Sequence, residues 1–278
     1  MSVGVRIIAD IPDPLLDDIG SNLQDYFVPI LGLADERCPE PPRLLGSGTL
    51  VKIGSSYHIL TAAHVWEDPK SSPGVGLLLT SYLSRLVIPR EAIVPHTLRG
   101  RGPKGFGPDL ALLTIPPPFV PEIKAHKSIL DLSQQRNKYL ANPSRPDSGL
   151  WAVIGMVEQF SSVQQHPEQR VYEVEVHGRA FFSGIDKTHQ RNGYDYLDVG
   201  ADMSLAAVPS SFGGVSGGAL WWIVLSENKT GQIWWSGKRY FYGVAFWQSP
   251  IRQARRVIRC HGPKSLFEKA WKKWRLPN

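Results

Sequence analysis

Long apolar runs and cysteines are scarce in this sequence. Its 278 residues include only two cysteines, Cys38 and Cys260, which are too few for a disulfide framework. No stretch of about eighteen apolar residues occurs, so we expect no transmembrane helix. The first thirty residues carry several aspartates and lack a basic segment followed by an apolar run, so they do not resemble a secretory signal. These absences predict a cytoplasmic protein that does not bind membranes.

Two common site chemistries are also missing. Cys260 and His261 are adjacent, but no second Cys or His stands at ligand spacing, so the sequence predicts no zinc site. No glycine-rich loop followed by Lys and Ser or Thr is present to bind phosphates. We therefore expect neither a metal nor a cofactor.

The composition is typical of a large β protein. Hydrophobic residues make up 42% of the chain, enough for a sizeable core, and 26 glycines with 23 prolines suit many short strands and turns. The apolar pattern predicts strands at Gly46–Ile53, Tyr57–Thr61, Gly76–Thr80, Asp109–Ile115, Trp151–Met156, Arg170–His177, Gly218–Leu225 and Tyr240–Trp247.

Two segments show helical spacing of their apolar residues. Asp13–Phe27 predicts an amphipathic helix before the first β region. Pro263–Trp274 predicts a closing helix, with Ser265 and Glu268 as a capping box. Prolines between residues 116 and 149 predict a linker without long regular structure.

Three short motifs contain the residue types that amide hydrolysis requires. His64 lies in the segment LTAAHV, Asp109 in PDLALL and Ser216 in GVSGG. A serine hydroxyl is a weak nucleophile at neutral pH and needs an imidazole to accept its proton. A carboxylate on the other ring nitrogen sets the tautomer and stabilises the imidazolium. The motifs therefore predict His64 as general base, Asp109 as its orienting carboxylate and Ser216 as nucleophile.

The glycines around Ser216 predict an oxyanion hole. Backbone N–H groups aimed at the developing oxyanion lower the barrier by roughly 3 to 4 kcal/mol per donor. The expected donors are the amides of Gly214 and Ser216, and the neighbouring glycines allow both to point to one place. The sequence leaves open whether this hole is formed at rest, because a peptide flip near Gly213 changes no residue.

Each motif alone also has a structural interpretation. A glycine-rich segment with one Ser can be only a turn, a His before an apolar run can be a packed side chain, and the Asp can be a cap. His58, on the strand before His64, is expected to pack in this way. Three motifs in a fixed order, each beside a predicted strand, favour the catalytic interpretation.

In this order the motifs resemble those of trypsin/chymotrypsin-like serine proteases, most closely the disulfide-free bacterial members. The resemblance spans about Leu45 to Trp274 and implies an all-β fold of two antiparallel six-stranded Greek-key barrels with the active site between them. The implied organisation is an N-terminal helical extension (1–44), a first barrel with the His and Asp (45–125), a linker (126–149), a second barrel with the Ser and the specificity pocket (150–262) and a C-terminal helix (263–278).

The resemblance also implies where a substrate binds. It places the base of the primary pocket six positions before the nucleophile, and a strand after the nucleophile as the wall that pairs with an extended peptide. The substrate-binding residues implied in this way are Ser210, Ser211, Gly213, Phe246, Trp247 and Gln248.

The residues of this pocket bear on specificity. Ser210 stands where an Asp would attract Arg or Lys, so trypsin-type specificity is not expected. Gln248 stands where family members often have a small glycine that leaves the pocket open. Its side chain would narrow the pocket, which favours a small or modest apolar residue on the acyl side of the cleaved bond. The alternative is that Arg255 or Arg256 reaches in and selects an acidic residue, because guanidinium pairs well with carboxylate.

One departure from the family concerns activation. Val215 stands where digestive members have the Asp that receives a newly cleaved N-terminal amine, so activation by N-terminal cleavage is not expected. We expect instead that a regulatory protein partner, bound through the N-terminal helix, or the loop at residues 212–215 sets the activity.

The end of the chain is basic. Ile251–Asn278 contains nine Lys or Arg residues against the single Glu268. Trp271 and Trp274 fall on the apolar face of the predicted helix, so its lysines form an ordinary solvated face and nucleic-acid binding is not expected.

The sequence therefore predicts a serine endopeptidase that cuts a protein or peptide substrate through an acyl-enzyme intermediate. By analogy with compact bacterial members, we expect an intracellular bacterial hydrolase with a dedicated protein target, including a role in defence systems. Two alternatives stay open: a catalytically silent peptide-binding module with a protease fold, and an esterase that uses the same triad.

Overall fold

The structure is a computed structural model that describes residues 10–34, 40–67, 72–80, 85–100, 105–142, 149–165, 172–206 and 208–274. Four features of the sequence predictions lie outside these ranges. They are Cys38, the prolines of the linker at 143 and 146, Arg170 with Val171 at the start of a predicted strand, and residues 275–278 at the end of the basic C-terminal segment.

The protein is mostly β, and its first sheet is built from residues 27–131. Its strands are Phe27–Leu33 (β1), Arg43–Ile53 (β2), Ser56–Thr61 (β3), Gly74–Leu78 (β4), Arg85–Pro89 (β5), Val94–Arg99 (β6), Asp109–Thr114 (β7) and Leu130–Asp131 (β8). Their order is β5-β4-β1-β2-β3-β7-β6, all antiparallel, and β8 adds to β2 in parallel. β1 lies inside the predicted N-terminal extension, yet it pairs with both β2 and β4 near the middle of the sheet.

The second sheet is built from residues 150–261. Its strands are Leu150–Met156 (β9), Gly178–Ser183 (β12), Ile185–Arg191 (β13), Tyr194–Asp202 (β14), Ala219–Glu227 (β15), Ile233–Gln248 (β16) and Arg255–His261 (β17). Their antiparallel order is β12-β9-β15-β16-β17-β14-β13. A separate hairpin joins Ser162–Gln165 (β10) to Tyr172–Glu175 (β11).

The strand pairing differs in detail from two six-stranded barrels. Each sheet has seven strands along its main path, and within the described ranges neither path of hydrogen-bonded strands closes on itself. The predicted strands correspond to β2, β3, β4, β7, β9, β11, β15 and β16, and the missed strands include β1, β14 and β17 inside the sheets as well as strands at the edges.

A helix at Asp13–Gln24 (α1) precedes the first sheet. Ile19 and Leu23 are fully buried on its inner face, as the apolar spacing predicts. The predicted helix extended to Phe27, but the chain turns at residues 25–26 and Phe27 begins β1. Its ring is part of the core instead of the last turn of the helix.

Three helices were missed by the sequence analysis: Ala63–Trp66 (α2), Val120–His126 (α3) and Leu132–Ala141 (α4). Pro121 lies in the first turn of α3, where a backbone N–H has no partner within the helix, so the helix loses no hydrogen bond to the proline. The Asp131 side chain accepts the N–H of Gln134 at 3.0 Å and caps α4. The linker prolines that the structure describes, at 116–118 and 121, thus precede or begin helices. α4 escaped notice because only Leu132 on it is buried.

The C-terminal helix begins near Pro263 and includes a π-helical segment at Ser265–Ala270, followed by α-helical Trp271–Lys273. The predicted capping box of Ser265 and Glu268 is wrong. The carboxylate of Asp195, on β14, accepts the N–H groups of Ser265 and Lys264 at 2.6 and 3.2 Å and caps the helix from another element.

One hydrophobic core joins the two sheets and the terminal helices. It contains Leu60 and Leu112 from the first sheet and Ile154 and Trp221 from the second. The same cluster includes residues of α1 and the C-terminal helix. Both sheets therefore pack on a shared core, and the predicted site takes His64 and Asp109 from the first and Ser216 from the second. None of the helices in the described ranges has the length and apolarity needed to span a bilayer.

Candidate active site

His64 and Asp109 are brought together by the register of the first sheet. β3 and β7 are antiparallel with Thr61 opposite Ala111, so the residues just after β3 meet the start of β7. His64 lies in the short helix α2, and Asp109 is the first residue of β7. Asp109 Oδ2 is 2.8 Å from His64 Nδ1, and its Oδ1 accepts the His64 backbone N–H at 2.9 Å. The carboxylate therefore holds both the ring and the main chain of the histidine.

The charge of Asp109 determines the tautomer of His64. Burial raises the pKa of Asp109, but the hydrogen bonds and the nearby imidazole of His64 outweigh this, and the net pKa lies below its ordinary value. An ionised carboxylate only accepts hydrogen bonds, so Nδ1 of His64 carries the proton. In a neutral ring Nε2 then holds the lone pair and can accept a proton. The ring is about one-third exposed, so solvent and ligands can reach it.

A second histidine, His261, supports Asp109 from within the protein. The Asp109 N–H donates to His261 Nε2 at 3.1 Å, and the His261 ring stacks on Phe246 with 4.2 Å between ring centroids. Burial lowers the pKa of His261 to about 3, so the ring stays neutral and can accept this bond. The sequence analysis considered His261 only as a metal ligand. No local pattern reveals its role, because Asp109 and His261 are far apart along the chain.

Ser47 connects the loop of Ser216 to the first sheet. The N–H of Ser47 donates to the Ser216 carbonyl at 2.8 Å, and its hydroxyl donates to the Gly214 carbonyl at 2.7 Å. The same hydroxyl accepts the Met156 N–H at 2.8 Å, while the Ser47 carbonyl accepts the hydroxyl of Thr61 at 2.6 Å. Ser47 is fully buried, so these bonds are shielded from water. The sequence analysis missed Ser47 because its partners lie on three separate segments that are far from it in the chain or on another strand.

Glycine is required at Gly217 by close packing. Its backbone has φ +90°, and a Cβ atom there would overlap the Ser47 carbonyl and the Thr61 hydroxyl. The N–H of Gly217 donates to the Ala245 carbonyl at 2.7 Å, and Ala245 in turn donates to Gly218. The loop is thus held between β2 on one side and β16 on the other.

Ser216 lies beside the helix that carries His64. Gly46 lies between the two elements. A Cβ atom placed on Gly46 would be 2.9 Å from the Ser216 carbonyl oxygen and 2.7 Å from the side chain of Val65, and Val65 directly follows His64 in α2. Within the described residues, no hydrogen bond joins the Ser216 hydroxyl to His64 Nε2. Catalytic hydrogen bonds are often long in a resting enzyme and shorten when substrate binds.

The two predicted oxyanion-hole donors are unpaired. Neither the N–H of Gly214 nor that of Ser216 donates to an acceptor in the described ranges. The carbonyl of Gly213 accepts the Glu158 N–H at 2.8 Å. Because C=O and the following N–H point in opposite directions across a trans peptide, this bond directs the Gly214 N–H away from Glu158. Gly214 has φ +86°, a conformation that favours glycine.

The predicted base of the pocket forms a polar cluster. Ser210 is exposed, and its N–H and hydroxyl both donate to Gln159 Oε1, at 2.8 and 2.7 Å. Gln248 Oε1 accepts the Phe212 N–H at 2.9 Å, and its Nε2 lies 3.3 Å from the hydroxyl of Ser211. The Gln248 side chain is therefore bonded to this loop through both ends of its amide.

The predicted wall strand has an open edge next to the Ser216 loop. β15 pairs with β16 only as far as Ala219 opposite Val244, whereas β17 pairs with β16 up to Gln248. In the described chain, residues 246–248 thus have a strand neighbour on one side only. The Phe246 side chain is buried against His261, so Phe246 can face a ligand only through its main chain. The Trp247 ring is half-buried, with the Arg259 guanidinium 5.0 Å from its centroid.

The described residues contain no group of three or more His, Cys, Asp and Glu side chains arranged to hold a metal ion. Comparison with protein-family models gives no match to this chain. Comparison with curated proteins gives no match either.

Proposed function

We propose that this protein is a serine endopeptidase that uses Ser216, His64 and Asp109. The observation that carries the proposal is the Asp109 carboxylate, which binds both the ring and the backbone N–H of His64 and leaves Nε2 free to accept a proton. The two unpaired N–H groups of Gly214 and Ser216 add a place for an oxyanion.

The geometry supports a two-step mechanism. Ser216 Oγ would attack the carbonyl carbon of the substrate while His64 Nε2 takes the hydroxyl proton. The resulting oxyanion would accept the N–H groups of Gly214 and Ser216. As the C–N bond breaks, the amine takes the proton from His64 and leaves an acyl-Ser216 ester. Water then attacks this ester with His64 again as base, which releases the acid and restores the hydroxyl.

A peptide fits this site better than a small ester for one reason. The open edge at residues 246–248 lies on the strand that is bonded to Gly217 and Gly218, so an extended chain can pair with it and bring a carbonyl to Ser216. We include in the proposal the finer features that the resemblance to trypsin/chymotrypsin-like proteases implies: two Greek-key barrels, an intracellular bacterial setting and a dedicated protein target.

The test is cleavage of a diverse peptide library by the wild type and by Ser216→Ala. We expect wild-type cleavage at defined residues and none by the variant. Hydrolysis of small esters without peptide cleavage would identify an esterase. Peptide binding without any hydrolysis by the wild type would identify a silent binding module and overturn the proposal.

A further inference from the structure

The three arginines of β17 have different electrostatic surroundings. Arg255 forms a surface ion pair with Asp186, with N–O distances of 2.9 and 2.7 Å. Arg259 is buried and donates to both carboxylate oxygens of Asp198, at 2.7 and 2.9 Å. Arg256 has no carboxylate partner in the part of the chain that the structure describes. Its cationic charge is therefore unneutralised.

The Arg256 guanidinium lies against the residues that precede Ser216. Its Nη1 is 2.7 Å from the Ser210 carbonyl and 3.0 Å from Gln248 Oε1. The same Gln248 oxygen accepts the N–H of Phe212, four residues before the nucleophile. The guanidinium thus sits between the loop that leads to Ser216 and the end of the open strand edge.

The contacts of Arg256 leave donors unused. Its Nε is buried and makes no hydrogen bond in the described residues. Burying part of a guanidinium without a partner is unfavourable, and both of its acceptors are neutral oxygens. An arriving carboxylate would supply the missing charge and accept, in a forked geometry, the Nη N–H groups that no described residue accepts.

We propose that Arg256 selects substrates with an acidic residue on the acyl side of the cleaved bond. This inference rests on the proposed peptidase function and names the substrate class of that site. The substrate carboxylate would lie beside Gln248, with the hydroxyl of Ser211 as a further donor. Arg255 plays no part, because Asp186 holds it on the surface.

The experiment uses peptides that differ only at the residue on the acyl side, with Asp, Glu, Asn, Gln, Leu or Arg at that position. We expect kcat/KM for the acidic peptides to exceed that for their amide counterparts by at least about 10-fold, as one charge-assisted hydrogen bond provides. Arg256→Leu should abolish this preference. Arg255→Leu, the matched control on the same strand, should keep it.

A second variant distinguishes a loss of substrate recognition from a folding defect. Arg256→Lys keeps the charge but loses the forked donors, so it should retain a reduced preference for acidic peptides. Serine-directed fluorophosphonate labelling shows whether each variant has a folded site. Cleavage with equal or better rates for the Leu peptide would overturn the acidic preference and leave the peptidase proposal intact. Failure to cleave any peptide or to react with the fluorophosphonate would instead contradict the peptidase proposal.

Discussion

The hydroxyl of Ser47 donates to the carbonyl of Gly214 across 2.7 Å and joins the first sheet to the loop that contains the predicted oxyanion hole. The same oxygen receives the N–H of Met156 from the second sheet. A single buried hydroxyl therefore fixes the peptide after Gly214 in relation to both sheets.

Ser47→Ala should lower kcat by about 100-fold with little change in KM, because a small displacement of the oxyanion donors affects the transition state more than the bound peptide. The measurement is steady-state hydrolysis of a cleaved peptide. Thr49→Val is the matched control: Thr49 lies on the same strand, is equally buried, and its hydroxyl has no partner among the described residues. A parallel change in KM, or an equal loss in Thr49→Val, would show that Ser47 acts only in folding.

Asp109→Asn should lower kcat by about 10⁴-fold, because a neutral amide neither fixes the His64 tautomer nor stabilises the imidazolium. The fold should persist, since the bond from the residue 109 N–H to His261 remains available. Glu67→Gln is the control, because the Glu67 carboxylate pairs near the surface with Arg99 and with no other side chain among the described residues. Wild-type rates in Asp109→Asn would remove the carboxylate from the mechanism.

Acid should weaken the fold through buried histidines. Burial lowers the pKa of His58 from 6.5 to about 4, and His96 adds to the effect. Between these values the unfolded chain binds a proton that the folded chain excludes, so stability is full above about pH 6.5 and falls as the pH drops toward 4. The loss approaches about 1.4 kcal/mol per pH unit for one such group.

The measurement is the free energy of unfolding in urea at several pH values. His58→Gln should show a shallower loss of stability below pH 6.5 than the wild type, although His261, whose pKa burial lowers to about 3, still contributes. His126→Gln, at an exposed position on α3, should retain the wild-type slope. Identical slopes in the wild type and His58→Gln would contradict the account.

The buried pair of Arg259 and Asp198 should stabilise the fold more than the exposed pair of Arg255 and Asp186. Arg259 packs over Phe106, with 4.0 Å to the ring centroid, and Asp198 also accepts from His189 at 2.7 Å. Asp198→Asn should cost about 3 to 5 kcal/mol of unfolding free energy, because it leaves a buried cation without its partner.

Asp186→Asn is the matched control. It breaks the exposed ion pair of Asp186 with Arg255, which lies on β17 like Arg259. It should cost less than about 1 kcal/mol. Equal losses in the two variants, measured by urea unfolding, would show that burial adds nothing to the Asp198 pair.

The sequence predicted eight strands and missed others both inside the sheets and at their edges. β1, β14 and β17 have strand neighbours on both sides and were not predicted. All eight predicted strands overlap observed strands. Seven of them lie in the two sheets, where continuous or alternating apolar residues mark buried positions, and Arg170–His177 overlaps β11, whose residues alternate between half-exposed and exposed. β6 and β13 were missed because they lie at the ends of their sheets and consist largely of exposed or half-exposed residues. Such edge strands depend on a neighbouring strand for their pairing and carry little apolar pattern of their own.

Some residues of the site could be predicted from the sequence and others could not. The contact of His64 with Asp109 could be predicted, because each residue sits in a short motif beside a strand. Ser47, His261 and Glu158 could not, because each acts through one or more bonds to segments far away in the chain, several of them to backbone atoms. Choosing between Arg255 and Arg256 needed the position of Asp186, which the local sequence does not reveal.

The central claim is that Ser216 is an activated nucleophile. The most direct test is reaction of the folded protein with a fluorophosphonate, followed by mass spectrometry of its peptides, in the wild type and in His64→Ala and Ser216→Ala. We predict a single phosphonyl adduct on Ser216 in the wild type, strongly reduced labelling in His64→Ala, and none in Ser216→Ala. A folded wild-type protein that remains unlabelled at Ser216, or that labels equally well without His64, would contradict the account.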